Sequence, residues 1–253
     1  MTDEGQMGVH FDSDGNRLLG TLLLAKGDHP KPTAVLLHGC PGIEKNYDLA
    51  HALRDHGWNS LIFHYRGCWG SEGAYALRTI PADVRAALDG LGSGRYPRVD
   101  PDRLILIGHS FGGWAAVLAA AVDPRVRAVA VYGGVTDPRT LEFSTTSAID
   151  YAAAEFIPWL KGITAEEFVA QVEALGEDHY PVEQVWRIAP RPLLILHGGA
   201  DDTVPPEQGQ GLFDRAREPR EFIMVPEANH AFSWHRPELR ARILDWIDRL
   251  PVT

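Results

Sequence analysis

The chain has 253 residues, of which 45% are hydrophobic and 23% charged, the balance of a folded globular protein and not of a disordered or fibrous one. A formal net charge of −10, with histidine neutral, argues against nucleic acid and anionic membrane surfaces as partners, because such a field repels phosphate. Two cysteines, Cys40 and Cys68, allow at most one disulfide and exclude a four-thiolate zinc site.

The opening residues Met1-Thr2-Asp3-Glu4-Gly5 lack the basic and apolar regions of a signal peptide, and no apolar run approaches the ~20 residues that span a bilayer. A cytoplasmic, reducing compartment is the expectation. Gly15-Asn16, between apolar stretches at 9–11 and 18–24, reads as the turn of a β-hairpin. Beyond it, short apolar runs at 34–37, 60–64, 104–107, 128–131, 193–196 and 221–225 alternate with helical periods at 47–56, 80–91, 113–122, 206–217 and 237–250. Near-continuous apolar runs suit strands buried on both faces, so the alternation predicts a parallel sheet with helices on either side. About fifty residues separate the run ending at Val131 from the one starting at Leu193, too many for a simple crossover. Stretches 147–159 and 165–175 read as helices within this insertion. From Asp137 to Arg187 it carries ten acidic and three basic residues, a net of −7, which suits a solvated helical insertion or a lid over a pocket.

The strongest chemical signal is Gly108-His109-Ser110-Phe111-Gly112, between the run at 104–107 and the helix at 113–122. Glycines two places on either side of the serine let strand and helix approach while the hydroxyl is thrust clear of the sheet. Serine needs a base, and the base an orienting acid. His230 follows the last predicted strand, and Asp201 follows the one before it. Both fall at carboxyl ends of strands, where open α/β sheets place their sites. His235 competes with His230 and Asp202 with Asp201; loop position favours His230. An oxyanion would find the N–H of Phe111 and, after the strand at 34–37, the N–H of Cys40, since Pro41 has none. Cys40 would act there through its backbone and not its thiol.

These blocks, together with Tyr65-Arg66-Gly67-Cys68-Trp69-Gly70-Ser71-Glu72-Gly73 and the His197-Gly198…Asp201…Val204-Pro205 segment, resemble the α/β-hydrolase superfamily over nearly the whole chain. Within it the likeness is to serine esterases related to the prolyl-oligopeptidase and dienelactone-hydrolase groups, including cinnamoyl-esterase-like enzymes. The resemblance implies an α/β-hydrolase fold in one domain, 1–253: an eight-stranded, mostly parallel sheet flanked by helices, with a small helical lid, 137–190, inserted after the sixth strand. It favours Asp201 as the acid, four residues after the histidine and three before the valine. It also implies ester hydrolysis with no cofactor. Pro226-Glu227 departs from the glycine the family often carries before its histidine loop.

Trp69, Tyr151, Trp159, Tyr180 and Trp186 are candidates to line a substrate pocket, or to pack the core of the insertion. Arg66 is expected to be structural. Gly90-Leu91-Gly92-Ser93-Gly94 follows a helix, not a strand, which argues against dinucleotide binding, and no histidine-glutamate cluster has zinc spacing. The leading reading is a serine carboxylesterase acting on a small-molecule ester. An aminopeptidase or amidase with the same residues, and a non-catalytic ligand-binding protein, are the alternatives. Whether the chain forms a homodimer is open.

Overall fold

The computed structural model describes residues 5–141 and 146–251. Residues 1–4, and with them most of the stretch compared with a signal peptide, lie outside the described residues, as does Glu142 among the acidic residues of the insertion.

Two strands open the chain, β1 (Gln6–Ser13) and β2 (Asn16–Leu23), paired antiparallel with Ser13 opposite Asn16. The two loop residues are therefore Asp14 and Gly15, not Gly15-Asn16. Both are left-handed, with φ of 50° and 78°, the geometry that a two-residue hairpin turn demands and that Asp-Gly tolerates best. Then follow β3 (Lys31–Leu37), α1 (Tyr47–Asp55), β4 (Asn59–Phe63), α2 (Ile80–Gly92), β5 (Val99–His109), α3 (Phe111–Val122) and β6 (Val126–Tyr132). β5 starts five residues before the apolar run at 104–107, because Pro101 and its charged neighbours hide the strand's edge-like beginning.

After β6 come α4 (Thr146–Glu155), α5 (Ala165–Glu173) and α6 (Pro181–Gln184), then β7 (Leu193–Gly198), α7 (Pro206–Arg215), β8 (Arg220–Val225) and α8 (Arg236–Asp248). The predicted helix at 147–159 is cut at Glu155, and Ile157–Trp159 forms a separate 3-10 turn around Pro158, whose ring has no N–H to continue the ladder. α5 starts at a reciprocal cap: Thr164 Oγ1 accepts from the Glu167 N–H at 3.2 Å, and the Glu167 carboxylate accepts from the Thr164 N–H at 2.9 Å. The short turns and α6 have too few residues to show a period, and the sequence does not reveal them.

All eight strands form one sheet in the order β1-β2-β4-β3-β5-β6-β7-β8, parallel from β4 to β8 and antiparallel at the β1-β2 edge. Alternate residues of each parallel strand enter different cores. In β3, Val35 and Leu37 pack with α2, α3 and the insertion, while Ala34 and Leu36 pack with α1 and α8. This explains the unbroken apolar runs. α3 is apolar around nearly its whole circumference, and the insertion covers the side that another helix would expose: the Trp114 Nε1–H donates to the His179 carbonyl at 2.8 Å. Arg66 lies buried in a structural network, its Nε donating to Asp83 Oδ1 at 2.8 Å and Nη2 to Ser13 Oγ at 2.7 Å. A Cβ on Gly90 would stand 2.3 Å from the Phe11 ring, so that glycine serves helix-to-strand packing. Among the described residues no helix is long and apolar enough to cross a membrane.

Backbone contact beneath the Ser110 turn is closer still. A Cβ on Gly112 would sit 2.0 Å from the Leu37 carbonyl oxygen, and one on Gly108 2.2 Å from the Gly112 carbonyl oxygen. Gly112→Ala is therefore expected to destabilise the fold by about 3 kcal/mol in urea unfolding. An unfolding midpoint equal to wild type would contradict this packing.

Candidate active site

Ser110 stands between β5 and α3 with φ 55° and ψ −124°, a backbone conformation that non-glycine residues avoid. The surroundings hold it there. Its N–H donates to the Tyr132 carbonyl at 3.3 Å, and its carbonyl accepts from Gly113 at 2.9 Å and Val135 at 3.1 Å. Ser110 and His230 border the same cavity, of about 440 Å³. No hydrogen bond joins the Ser110 hydroxyl to His230 among the described residues.

Asp201 and His230 come together from the loops after β7 and β8. Asp201 Oδ2 accepts from His230 Nδ1 at 2.9 Å, and Oδ1 accepts from the N–H groups of Thr203 at 3.0 Å and Val204 at 2.8 Å. Burial pushes the Asp201 carboxyl up, but hydrogen bonds from His197, His230 and the Val204 N–H outweigh burial and hold it well below the usual carboxylate range. Asp202, by contrast, is exposed, and its carboxylate lies 3.4 Å from the Thr203 hydroxyl rather than against His230. His235 precedes the first turn of α8, and its carbonyl accepts from Leu239.

Backbone packing sets the distance between the two loops. Cβ atoms on Gly198 and Gly199 would lie 2.2 Å from the Ala228 oxygen and 2.5 Å from the Pro226 oxygen. The small residues that a close approach requires thus sit on the Asp201 loop, opposite Pro226-Glu227. Gly133 completes the contact, since a Cβ there would be 3.3 Å from both Asp201 Oδ2 and His230 Nδ1. His109 pins the histidine loop by donating from Nε2 to the His230 carbonyl at 3.0 Å. Sequence reasoning missed Gly133 and the role of His109; the two-residue glycine step after Tyr132 was the available signal.

The loop after β3 is braced at three carbonyls. Tyr65 Oη donates to the His38 oxygen at 3.1 Å, His38 Nδ1 to the Gly39 oxygen at 2.8 Å, and Trp69 Nε1 to the Pro41 oxygen at 2.8 Å. Gly39 lies against Ser110, with room for no Cβ: one there would be 2.7 Å from the serine Cβ. The N–H groups of Cys40 and Phe111 have no acceptor among the described residues. Burial pushes the Cys40 thiol up to about 12, so it remains protonated and unreactive.

Burial also pushes the His38 imidazole down to about 4 and those of His64 and His109 to about 3. All three are neutral at pH 7. Unfolded histidines titrate near ~6.5, so below that pH the unfolded chain binds protons that the folded chain refuses. Stability is therefore expected to fall as pH drops from about 6.5 toward 4, each group steepening the slope by at most ~1.4 kcal/mol per pH unit. His64→Gln is expected to flatten that slope by about 1 kcal/mol per unit in urea unfolding at pH 6, 5 and 4. An unaltered slope would contradict a His64 held neutral in the folded chain.

Of the aromatic pocket candidates only Tyr151 lines the cavity. Trp69 stands behind the loop after β3 and stacks on Trp159, with ring centroids 5.1 Å apart. Trp186 lies between Arg187 and Arg217, and Tyr180 donates its hydroxyl to the Leu175 carbonyl. These rings pack the insertion and its base, as aromatic residues in small helical layers do. The apolar lining comes instead from residues that include Ile43, Val135, Leu141 and Phe156, and Glu155 contributes a carboxylate.

Residues 51–251 match the family model described as the prolyl oligopeptidase family. The chain belongs to the prolyl oligopeptidase family. The relatives of this family member include the uncharacterised protein Rv2307c of Mycobacterium tuberculosis, 32% identical over 219 residues that cover 86% of this chain and 69% of the relative. Esterase LipC of the same organism is 25% identical over 216 residues, 79% of this chain and 51% of LipC. The solved structure of Est1E from Butyrivibrio proteoclasticus, with ferulic acid bound, superposes with a TM-score of 0.79 at 19% identity, covering 96% of this chain and 98% of Est1E. The fold is that of the α/β-hydrolases, and family and neighbours support a hydrolase.

Proposed function

We propose that the protein is a serine carboxylesterase that hydrolyses small to medium carboxylic esters through an acyl-enzyme. The observation that carries this reading is the 2.9 Å hydrogen bond between Asp201 and His230 at a cavity that Ser110 also borders. Because Asp201 accepts from Nδ1–H, the neutral imidazole keeps a lone pair on Nε2. Ser110 Oγ attacks the ester carbonyl carbon as His230 Nε2 takes its proton. The N–H groups of Cys40 and Phe111 receive the developing oxyanion. Collapse expels the alkoxide, which takes the proton from His230, and water activated by the same nitrogen then releases the acid.

The volume of about 440 Å³ and its apolar lining suit a small to medium substrate. In this reading the insertion acts as a lid, since Ser147, Tyr151, Glu155 and Phe156 of its first segment line the cavity. Both cysteines are free, in keeping with a reducing, cytoplasmic setting. One observation favours a second reading, cleavage of aminoacyl amides: Glu155 offers a carboxylate to a substrate ammonium. A nitrophenyl ester series of increasing acyl length, assayed beside an aminoacyl nitroanilide, tests both. Ester turnover with an inert anilide is expected. Turnover of the anilide alone would replace the esterase reading with the second.

A further inference from the structure

Trp69 occupies an uncommon backbone conformation for a bulky side chain, with φ 48°. Such a conformation persists only where the surroundings impose it. Its ring has two close partners. Trp159 of the insertion stacks on it at 5.1 Å with the planes 18° apart, and the Lys45 ammonium lies 3.3 Å from its ring centroid. From that position Nε1 donates to the Pro41 carbonyl at 2.8 Å. The same loop is packed against the indole at Gly42, where a Cβ would be 2.9 Å from Trp69 Nε1 and 2.5 Å from His38 Nδ1.

The loop in question carries the Cys40 N–H. The carbonyl of the same peptide, Gly39, is held by His38, and the Pro41 carbonyl two peptides on is held by Trp69. A planar peptide turns its N–H away from its carbonyl, so the His38 bond to the Gly39 carbonyl sets the direction of the Cys40 N–H, and the Trp69 bond to the Pro41 carbonyl anchors the loop just beyond it against rotation of that peptide. The segment beneath the stack is also fastened to the insertion through the backbone. Lys161 N–H donates to the Gly67 carbonyl at 2.8 Å, Tyr75 N–H donates to the Lys161 carbonyl at 2.8 Å, and Cys68 bridges to Leu160.

We infer that Trp69 is a positioning residue for the oxyanion-binding loop, and that the Trp159 ring stacked on it couples the helical insertion to that loop. The inference rests on the acyl-transfer reading of Ser110. It requires no contact between either indole and the substrate, in agreement with the absence of both rings from the cavity lining. A loop N–H aimed a fraction of an ångström off would weaken stabilisation of the transition state while leaving ground-state binding intact.

Two variants separate the parts of the device. Trp69→Phe removes the Nε1 donor and retains an aromatic ring, whereas Trp159→Ala removes the stack and retains the donor. Trp186→Phe, outside the cavity, controls for loss of an indole. The measurements are kcat and KM on a nitrophenyl ester, the rate constant of labelling by a fluorophosphonate, and the thermal midpoint of each variant. Trp69→Phe is expected to lower both kcat and the labelling rate about tenfold with KM within about twofold, a modest fraction of the ~10²–10³ that loss of a whole oxyanion donor costs. Trp159→Ala is expected to lower both about threefold, and the double variant to be no slower than Trp69→Phe, because the stack acts through the same hydrogen bond.

Wild-type rates in Trp69→Phe would overturn the inference, as would a loss of efficiency carried by KM, which would make the indole a substrate contact. Multiplying losses in the double variant would overturn the coupling. A wild type that labels but hydrolyses no ester would end the esterase reading alone, with the labelling rates still deciding the role of Trp69. A wild type that does neither would overturn both.

Discussion

Ser110→Ala is expected to lower kcat by roughly 10⁴–10⁶-fold on any nitrophenyl ester the wild type hydrolyses, and to abolish labelling by a fluorophosphonate. The substitution removes one oxygen and leaves the Cβ, so the turn that holds residue 110 at φ 55° keeps its packing and the thermal midpoint should stay close to wild type. The residual rate would come from oxyanion stabilisation and substrate binding, which do not depend on the hydroxyl. KM is expected to change little. A variant that keeps more than a tenth of wild-type kcat would show that the nucleophile lies elsewhere and would end the serine hydrolase mechanism. A stable variant that binds a substrate analogue without turnover would be the informative counterpart, because it separates chemistry from loss of fold.

The second large effect is expected at Asp201. An asparagine there can still reach His230 Nδ1, but its amide would offer a donor where the imidazole also needs to donate, favouring the tautomer with its proton on Nε2. The base is then lost while the geometry survives, and kcat should fall about 10⁴-fold. Asp202→Asn, on the exposed neighbour, is expected to stay within about twofold of wild type. Reversal of the two outcomes would reassign the acid. The same carboxylate links the site to acid stability. Its folded pKa is depressed below the unfolded value of ~3.9, so its contribution is fully present above that pH and disappears as pH falls through the folded value. Asp201→Asn should therefore lose less stability than wild type on acidification below about pH 4.

How much of this was legible beforehand differs from element to element. The parallel strands announced themselves because each is buried on both faces, so Ala34, Val35, Leu36 and Leu37 could all be apolar. Gly108 and Gly112, two places on either side of Ser110, were legible for a related reason. Their close approaches are to backbone within a few residues or on the adjacent strand, which no other residue type permits. Asp201 stood out from Asp202 by its spacing in a family-like segment. In the structure it is the one whose carboxylate meets His230. The hairpin turn was misplaced by one residue, because Asp-Gly and Gly-Asn both offer left-handed positions and only the strand register chooses between them.

Alternation of period, glycine placement and chain order were enough to determine the class of sheet, the strand-to-helix turn at Ser110, and the loops that carry Asp201 and His230. Period and glycine placement are local properties, each written within about a dozen residues, and chain order is read directly from the sequence. The tertiary structure alone decided which aromatic rings reach the cavity, that Trp114 and α3 lie beneath the insertion, and that His38 and Trp69 brace the loop of Cys40. Those outcomes depend on segments far apart in the chain. A tryptophan such as Trp69, Trp159 or Trp186 carries the same apolar surface whether it packs on substrate, on an indole or on arginines, and only the folded neighbours distinguish them.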